Sequence, residues 1–261
     1  MNGRDFFLRA AALFCLAVLL WHCIPGAGAR VDSRVGNDPA QEKIIESWKK
    51  KAVKTALGGH LVQMLDGCNQ TLKMKNDKEA LYHRAYICGM VGATKYAITD
   101  LSRAIETDPR FAPAYTERGI CYSDSSEYDR AWRDLNRAVS LDPSSGDALL
   151  ARAKLMIKMN RPNLAFNDLE RCKSGNVVFR PLLPGELPAN YHNAVDYYLG
   201  QCYELMWKPD LAYRCYIDST KKPDLTIHGG YIKRYSDKPT DTSYKLQYLE
   251  ASGVSSYVSR R

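Results

Sequence analysis

Small and apolar residues in the middle of the chain recur at spacings of four and three, which predicts amphipathic helices. Ala97, Leu101 and Ala104 form one such set. Side chains at these spacings lie on one face of a helix, and small residues on that face let a second helix approach closely. Sets of the same kind begin at Ala131 and, after the same interval, at Ala165.

Seven alignment columns share one repeat period. The period, about 34 residues, is typical of arrays of helical hairpins, and Asp-Pro at the end of a copy stops its second helix. One hairpin cannot bury its apolar face alone, so the copies are expected to stack into a solenoid. The columns are Pro109 and Pro143; Ala104 and Ala138; Ala97, Ala131 and Ala165; Leu101, Leu135 and Leu169; Arg84, Arg118 and Arg152; Asp100, Asp134 and Asp168; and Arg103, Arg137 and Arg171.

These columns resemble the tetratricopeptide repeat (TPR) over roughly residues 78–224. The resemblance implies an all-α fold, an α-α superhelix of about four repeats, whose general role is to bind other proteins. A fourth, degenerate copy lies out of phase and begins at Leu199-Gly200. The second copy carries the family pattern most fully, in Tyr115, Arg118-Gly119, Tyr122, Ala131, Leu135, Ala138 and Asp142-Pro143.

The N-terminal residues 1–29 have the pattern of a secretory signal. Arg4 and Arg9 form a basic start, an apolar run follows, and Ala27-Gly28-Ala29 fits a signal peptidase. The uncharged run is also about long enough to span a bilayer, so an uncleaved anchor is the alternative. We therefore expect a periplasmic or secreted protein, or one anchored in the inner membrane.

Four further segments flank or interrupt the repeats. Residues 30–40 are a polar linker, and residues 41–77 are predicted to form a helical hairpin that caps the solenoid, because terminal repeats are usually atypical. Residues 174–190 are rich in proline and glycine and form an insert, which is either tolerated or functional. Residues 225–261 form a basic, tyrosine-rich tail with one predicted short helix near 241–250.

The net charge bears on the kind of partner, and the cysteines bear on possible disulfides. The chain has a net charge of +8, and much of the excess lies in the tail, which is either solvated or contacts an acidic partner. An exported protein rarely meets nucleic acid, so we expect none. Cys172 and Cys202 are expected on neighbouring helices and are the best candidates for a disulfide, whereas the alternative is that the cysteines pack as small apolar residues.

Neither a metal site nor an enzyme is predicted. The chain has no Cys-x-x-Cys, no phosphate-binding glycine loop and no Gly-x-Ser-x-Gly motif, and its histidines are scattered. We expect no cofactor.

The matched arginine and aspartate columns are predicted to be structural. Each arginine precedes its aspartate at one fixed spacing, across the turn of one hairpin. A guanidinium matches a carboxylate in a bidentate pair, and a row of arginines that held an acidic ligand would not need an equal number of aspartates.

The concave face is the predicted binding site, because first helices line it in TPR arrays. Tyrosines there favour an extended peptide with apolar character, and ordinary surface is the alternative. The leading hypothesis is an exported scaffold that binds a segment of a partner protein. An anchored structural subunit, or a small-ligand receptor or enzyme with residues 174–190 as a lid, are the alternatives. The predicted contact residues are Tyr82, Tyr86, Met90, Thr116, Ile120, Lys154, Lys158, Tyr197 and Gln201.

Overall fold

Ten helices run through the part of the chain that the computed structural model describes, which comprises residues 39–52, 56–180, 192–221, 245–247, 249 and 251. The signal, most of the linker and most of the tail lie outside the described residues. The helices are α1 (Pro39–Ala52), α2 (Ala56–Met74), α3 (Lys78–Met90), α4 (Thr94–Thr107), α5 (Ala112–Asp124), α6 (Tyr128–Leu141), α7 (Gly146–Lys158), α8 (Pro162–Lys173), α9 (His192–Leu205) and α10 (Pro209–Lys221).

The architecture is an all-α superhelix of the TPR type, which confirms the predicted fold class. Each helix packs against the next along the chain, and α3, α5, α7 and α9 also contact one another in succession. Four hairpins therefore stack in register, with α1 and α2 packed on the N-terminal end. Leu61 and Leu65 of α2 bury themselves against Ile87 of α3.

Small residues set the close approach within each hairpin. Ala97, Ala131 and Ala165 are fully buried, as are the leucines four residues later. In the second hairpin, a β-carbon on Gly119 would lie 2.7 Å from Cγ of Leu135. The two helices of that hairpin are therefore closer than any larger residue at position 119 allows.

The turns inside the four hairpins share one backbone conformation. Gly92, Ser126, Asn160 and Trp207 occupy equivalent positions with φ between 56° and 82°. The next residue donates its N–H to a carbonyl five residues back, as in Lys208 to Tyr203 at 2.9 Å. This is a helix C-cap that glycine and, less often, asparagine favour. A tryptophan in this conformation costs on the order of 1–2 kcal/mol.

The C-terminal end of the superhelix is covered by a helical segment of the tail. Leu249 is buried in the core of the last hairpins, and Leu246 packs against it. The ammonium group of Lys245 pairs with the Glu204 carboxylate and lies 5.4 Å from the centroid of the Tyr216 ring. The core is thus closed at this end by residues that lie outside the repeats. Among the described helices, none is long and apolar enough to cross a membrane.

Candidate functional site

The first helices of the four hairpins contact one another in succession, and we call the face that they form together the inner face. Equivalent positions on α3, α5, α7 and α9 form columns across this face, and three columns contain the residues that the sequence singled out. We name them by burial: a buried column (Tyr82, Thr116, Leu150 and Tyr197), a middle column (Tyr86, Ile120, Lys154 and Gln201) and an outer column (Met90, Asp124, Lys158 and Leu205).

The buried column belongs to the core and does not form an open surface. Its four members are 8% exposed or less. The ring of Tyr82 packs edge-on against Phe111 at 5.7 Å and against His83 at 5.3 Å. Tyr86, in the middle column, is only 3% exposed. Tyr82 and Tyr86, both predicted as contact residues, are therefore buried and offer a partner little accessible surface.

The other members of the middle column are half-buried. Nζ of Lys154 lies 5.3 Å from the centroid of the Tyr198 ring, a cation–π contact. Nε2 of Gln201 donates to the hydroxyl of Tyr197 at 3.0 Å. Ile120 packs against the core with one side and is partly accessible on the other. This column presents apolar, cationic and amide groups in sequence along the array.

The outer column, nearest the hairpin turns, is the most accessible. Nζ of Lys158 lies 3.2 Å from the carboxylate of Asp124 and 3.2 Å from the hydroxyl of Ser123. Both ions are more than one-third exposed, so solvent screens the pair and its contribution to stability is small. The accessible part of the inner face therefore runs along the middle and outer columns.

The described part of the insert lies at the opposite edge of the inner face, where the first helices begin. Val178 accepts from the backbone of Gly146 and donates to the backbone of Ser144, both at 2.8 Å. The N–H of Arg180 donates to the Asp147 carboxylate at 2.9 Å. The ring of Phe179 stacks on Gly146, where a β-carbon would come within 2.7 Å of it. An extended stretch of chain is thus held against the first turn of α7.

Arg180, at the end of the described part of the insert, also lies near the first hairpin. Burial raises the pKa of the Glu79 carboxyl, and the positive charge of Arg180 opposes that rise, so these two side chains lie near each other. Glu79 of α3 and Asp147 of α7 occupy the same repeat position, two repeats apart. The held stretch therefore bonds to Asp147 and places the positive charge of Arg180 near a second acidic residue, Glu79.

Each arginine of the repeated column forms a bidentate pair with its aspartate. Nε and Nη2 of Arg118 donate to the two carboxylate oxygens of Asp134 at 2.7 and 2.9 Å. Arg84 pairs with Asp100, and Arg152 with Asp168, in the same geometry at 2.7 Å. Burial raises the pKa of the Asp100 carboxyl, whereas the hydrogen bonds and charge of Arg84 act to lower it. Each of these arginines is therefore paired with an aspartate of its own hairpin, and we call these pairs braces.

A second acceptor joins each brace to the preceding hairpin, which the sequence did not reveal. Nη1 of Arg118 donates to the hydroxyl of Ser102 on α4 at 3.0 Å. Asn69 and Asn136 accept from Arg84 and Arg152 in the same way, at 3.0 and 2.9 Å. Ser102 and Asn136 occupy the same repeat position, but because their side chains differ, the repeat pattern does not reveal this column of acceptors.

The fourth hairpin replaces the brace with a different ion pair. Leu199 stands at the arginine position and Cys215 at the aspartate position. Nζ of Lys173 on α8 instead lies 3.0 Å from the carboxylate of Asp196 on α9, whose side chain is only 2% exposed. The charged residue of α9 that contacts hairpin three is thus Asp196, about one turn before Leu199 at the usual arginine position.

The predicted disulfide is absent from the structure. None of the cysteines among the described residues is joined to another by a disulfide. The helices α8 and α9 do pack together, but Sγ of Cys172 lies 3.9 Å from the carbonyl oxygen of Gly146 on α7. The sequence placed the correct helices side by side, whereas this thiol faces α7, the first helix of its own hairpin.

His83, beside Tyr82 on α3, is a half-buried histidine. Its Nδ1 has no hydrogen-bond partner among the described residues, and burial lowers the pKa of its imidazole. No group of three histidine, cysteine, aspartate or glutamate side chains that could hold a metal ion occurs in the same described ranges.

Comparison with solved structures places this architecture among TPR proteins. TTC0263, a thermophilic TPR protein of Thermus thermophilus, is similar with a TM-score of 0.51 at 15% identity, covering 81% of this chain and 99% of its own. YrrB, a TPR protein with an unusual peptide-binding site, gives 0.49 at 16% identity over 71% of this chain and 83% of its own. MamA gives a TM-score of 0.49 at 21% identity, covering 64% of this chain and 91% of its own. No protein-family profile and no curated sequence matches the chain.

Proposed function

We propose that this protein is an interaction scaffold whose inner face holds an extended segment of another protein. The observation that carries the proposal is the way residues 176–180 lie against α7. Two backbone hydrogen bonds, one carboxylate and one aromatic contact hold that stretch in extended form at the edge of the inner face. The same kinds of groups serve peptide recognition in general.

The middle and outer columns supply the partner-binding surface of this proposal. Ile120 offers apolar area, Lys154 and Lys158 offer positive charge, and Gln201 offers an amide. Such a strip suits a segment with alternating apolar and acidic or amide groups. The apolar contacts are expected to contribute most of the affinity, because exposed charges mainly affect association rate and specificity. Tyr82, Tyr86, Thr116 and Tyr197 then support the strip from within the core.

Site-specific photo-crosslinking in the full chain tests this assignment. A benzoylphenylalanine at position 120 or 158 on the inner face, and at position 137 on the exposed side of α6, gives a matched comparison. The inner positions are expected to crosslink the same protein partner, and position 137 is expected to crosslink it at least tenfold less. Equal capture at all three positions, or capture at position 137 alone, would contradict the proposal.

Export is a second part of the proposed function and rests on residues 1–29. Their basic start, apolar run and Ala27-Gly28-Ala29 fit a secretory signal. N-terminal sequencing of the protein from an exported fraction is expected to begin at Arg30. An intact Met1 on membrane-bound protein would instead favour an anchored subunit.

A further inference from the structure

The tip of the last hairpin carries the most exposed large apolar side chain in the described part of the chain. Trp207 is 91% exposed. Leu205 and Leu211, on either side of it, are each 38% exposed. Singly exposed apolar residues need no explanation, but a cluster on one turn marks a contact surface.

Trp207 also has an unfavourable backbone. The equivalent positions in the other three hairpins are Gly92, Ser126 and Asn160, which are small or polar residues. Trp207 has φ 58° at this position, where a bulky residue is a strained outlier. The fold gains no burial from the indole ring in return. A strained and exposed residue of this kind points to a function outside the folding of the chain.

The neighbouring hairpin extends the apolar surface. Consecutive helices α8 and α9 pack together, and the rings of Phe166 and Tyr203 lie 5.5 Å apart. The start of α8 is therefore beside the end of α9. Leu164, two residues before Phe166, is 46% exposed. We call this surface the tryptophan edge, formed by Leu164, Leu205, Trp207 and Leu211 with the basic residues Arg161 and Lys208.

Charge distinguishes this edge from the tip of the second hairpin. Residues 158–164 and 205–211 together contain three basic residues and one acidic residue. The tip of the second hairpin, residues 124–130, contains three acidic residues and one basic residue. The basic and apolar groups thus coincide at one end of the superhelix. An anionic partner with an apolar interior complements this combination.

The backbone of the tip suits a poorly hydrated environment. The N–H groups of Met206, Trp207 and Lys208 donate to the carbonyls of Cys202, Glu204 and Tyr203 at 3.0, 2.9 and 2.9 Å. A membrane interface penalises polar backbone groups without partners, and these three have partners within the chain.

We propose that the tryptophan edge docks onto an anionic lipid surface. The indole ring would lie at the headgroup level, where tryptophan is enriched because its body is apolar and its N–H is polar. Leu164, Leu205 and Leu211 would enter shallowly beside it, while Arg161 and Lys208 meet the headgroups. Each basic residue near such a surface raises binding roughly fivefold. Leu205 is shared with the outer column, but Ile120, Lys154 and Lys158 lie outside the tryptophan edge and stay accessible to a protein partner.

Depth-dependent quenching of Trp207 in the full chain tests the proposal. Brominated lipids are placed in vesicles of phosphatidylcholine alone or with phosphatidylglycerol. The difference in emission between the parent chain and Trp207→Gly isolates the Trp207 signal. This position-specific readout is needed because the apolar N-terminal run can itself bind lipid. Trp207 emission is expected to be quenched on the anionic vesicles. The same degree of quenching on the neutral vesicles should require roughly tenfold more lipid.

Matched variants separate docking from folding. Trp207→Gly removes the ring but suits the turn conformation, so its melting temperature should equal or exceed that of the parent chain. Ser126→Gly changes the same turn position of another hairpin and should leave quenching of Trp207 unchanged. Arg161→Gln with Lys208→Gln should weaken it roughly tenfold or more. The proposal is overturned if acrylamide reaches Trp207 equally with and without anionic vesicles, or if a soluble protein requires Trp207 for capture in the absence of lipid.

Discussion

Gly200 of α9 lies against the ring of Tyr216 on α10, where a β-carbon would come within 2.5 Å of the ring carbon Cε1. The relationship repeats that of Gly119 and Leu135, at the same separation along the chain. It shows that the degenerate fourth copy packs in the same register as the second. Tyr216 is fully buried, and its hydroxyl donates to Glu204 at 2.5 Å, so the ring has little freedom to move.

Gly200→Ala should therefore destabilise the protein by about 1–3 kcal/mol, as overpacking of a well-packed core usually does. Gly67→Ala is the control, since Gly67 lies inside α2 with nothing near its added methyl group. That variant should gain roughly 0.5–1 kcal/mol through helix propensity. Urea unfolding of the three proteins measures both changes. A similar loss of stability in both variants would show that the Tyr216 contact is not the cause of the loss in Gly200→Ala.

The Arg118–Asp134 brace should be needed for stability and not for partner binding. The side chains are 19% and 10% exposed, so Asp134→Ala leaves a largely buried guanidinium without its carboxylate. We expect a loss of about 1–3 kcal/mol. Replacing the pair together by Arg118→Met and Asp134→Leu should restore much of it, because a buried ion pair is often no more stabilising than apolar residues of similar size. Unchanged thermal unfolding of Asp134→Ala with lost partner capture would assign the arginines to the ligand.

The sequence predicts the array well because the array is built from contacts between fixed positions. Leu135 and Asp134 meet partners in their own hairpin, so the regular repeat period reveals both. The burial of Tyr82 was not predictable in this way, since it depends on Phe111, which stands outside the repeated columns. The same holds for the stretch at Val178, whose backbone bonds to Ser144 and Gly146 depend on no side-chain pattern.

The pH dependence of stability should report His83. Burial lowers the pKa of this imidazole from its ordinary value of 6.5, so the unfolded chain takes up the proton first as the pH falls. The contribution of neutral His83 to the free energy of unfolding is then fully present above pH 6.5 and is lost as the pH falls below it. His83→Phe, which keeps a ring beside Tyr82, should reduce this decline. Urea midpoints measured from pH 8 to pH 5 would contradict the assignment if the two proteins had the same slope.

The buried thiols should be unreactive in the folded protein. Burial raises the pKa of Cys88, Cys172 and Cys202 to about 12, and that of Cys68 and Cys215 to about 11. The reactive thiolate is therefore scarce near neutral pH. Alkylation followed by peptide mapping should label these cysteines only after denaturant is added. Recovery of a peptide joining Cys172 to Cys202 from exported protein would restore the disulfide that the sequence predicted.

Leu249 should be a structural part of the superhelix even though it lies near the end of the chain. Its side chain is 5% exposed and belongs to the core of the last hairpins. Leu249→Ala removes apolar contacts and leaves a cavity, so we expect a loss of about 2–4 kcal/mol. Lys245→Ala should cost less, because the ion pair with Glu204 is partly solvated. Urea unfolding followed by far-UV circular dichroism ranks the two variants. If Leu249→Ala were neutral, Leu246 and Leu249 would not close the core of the last hairpins in solution.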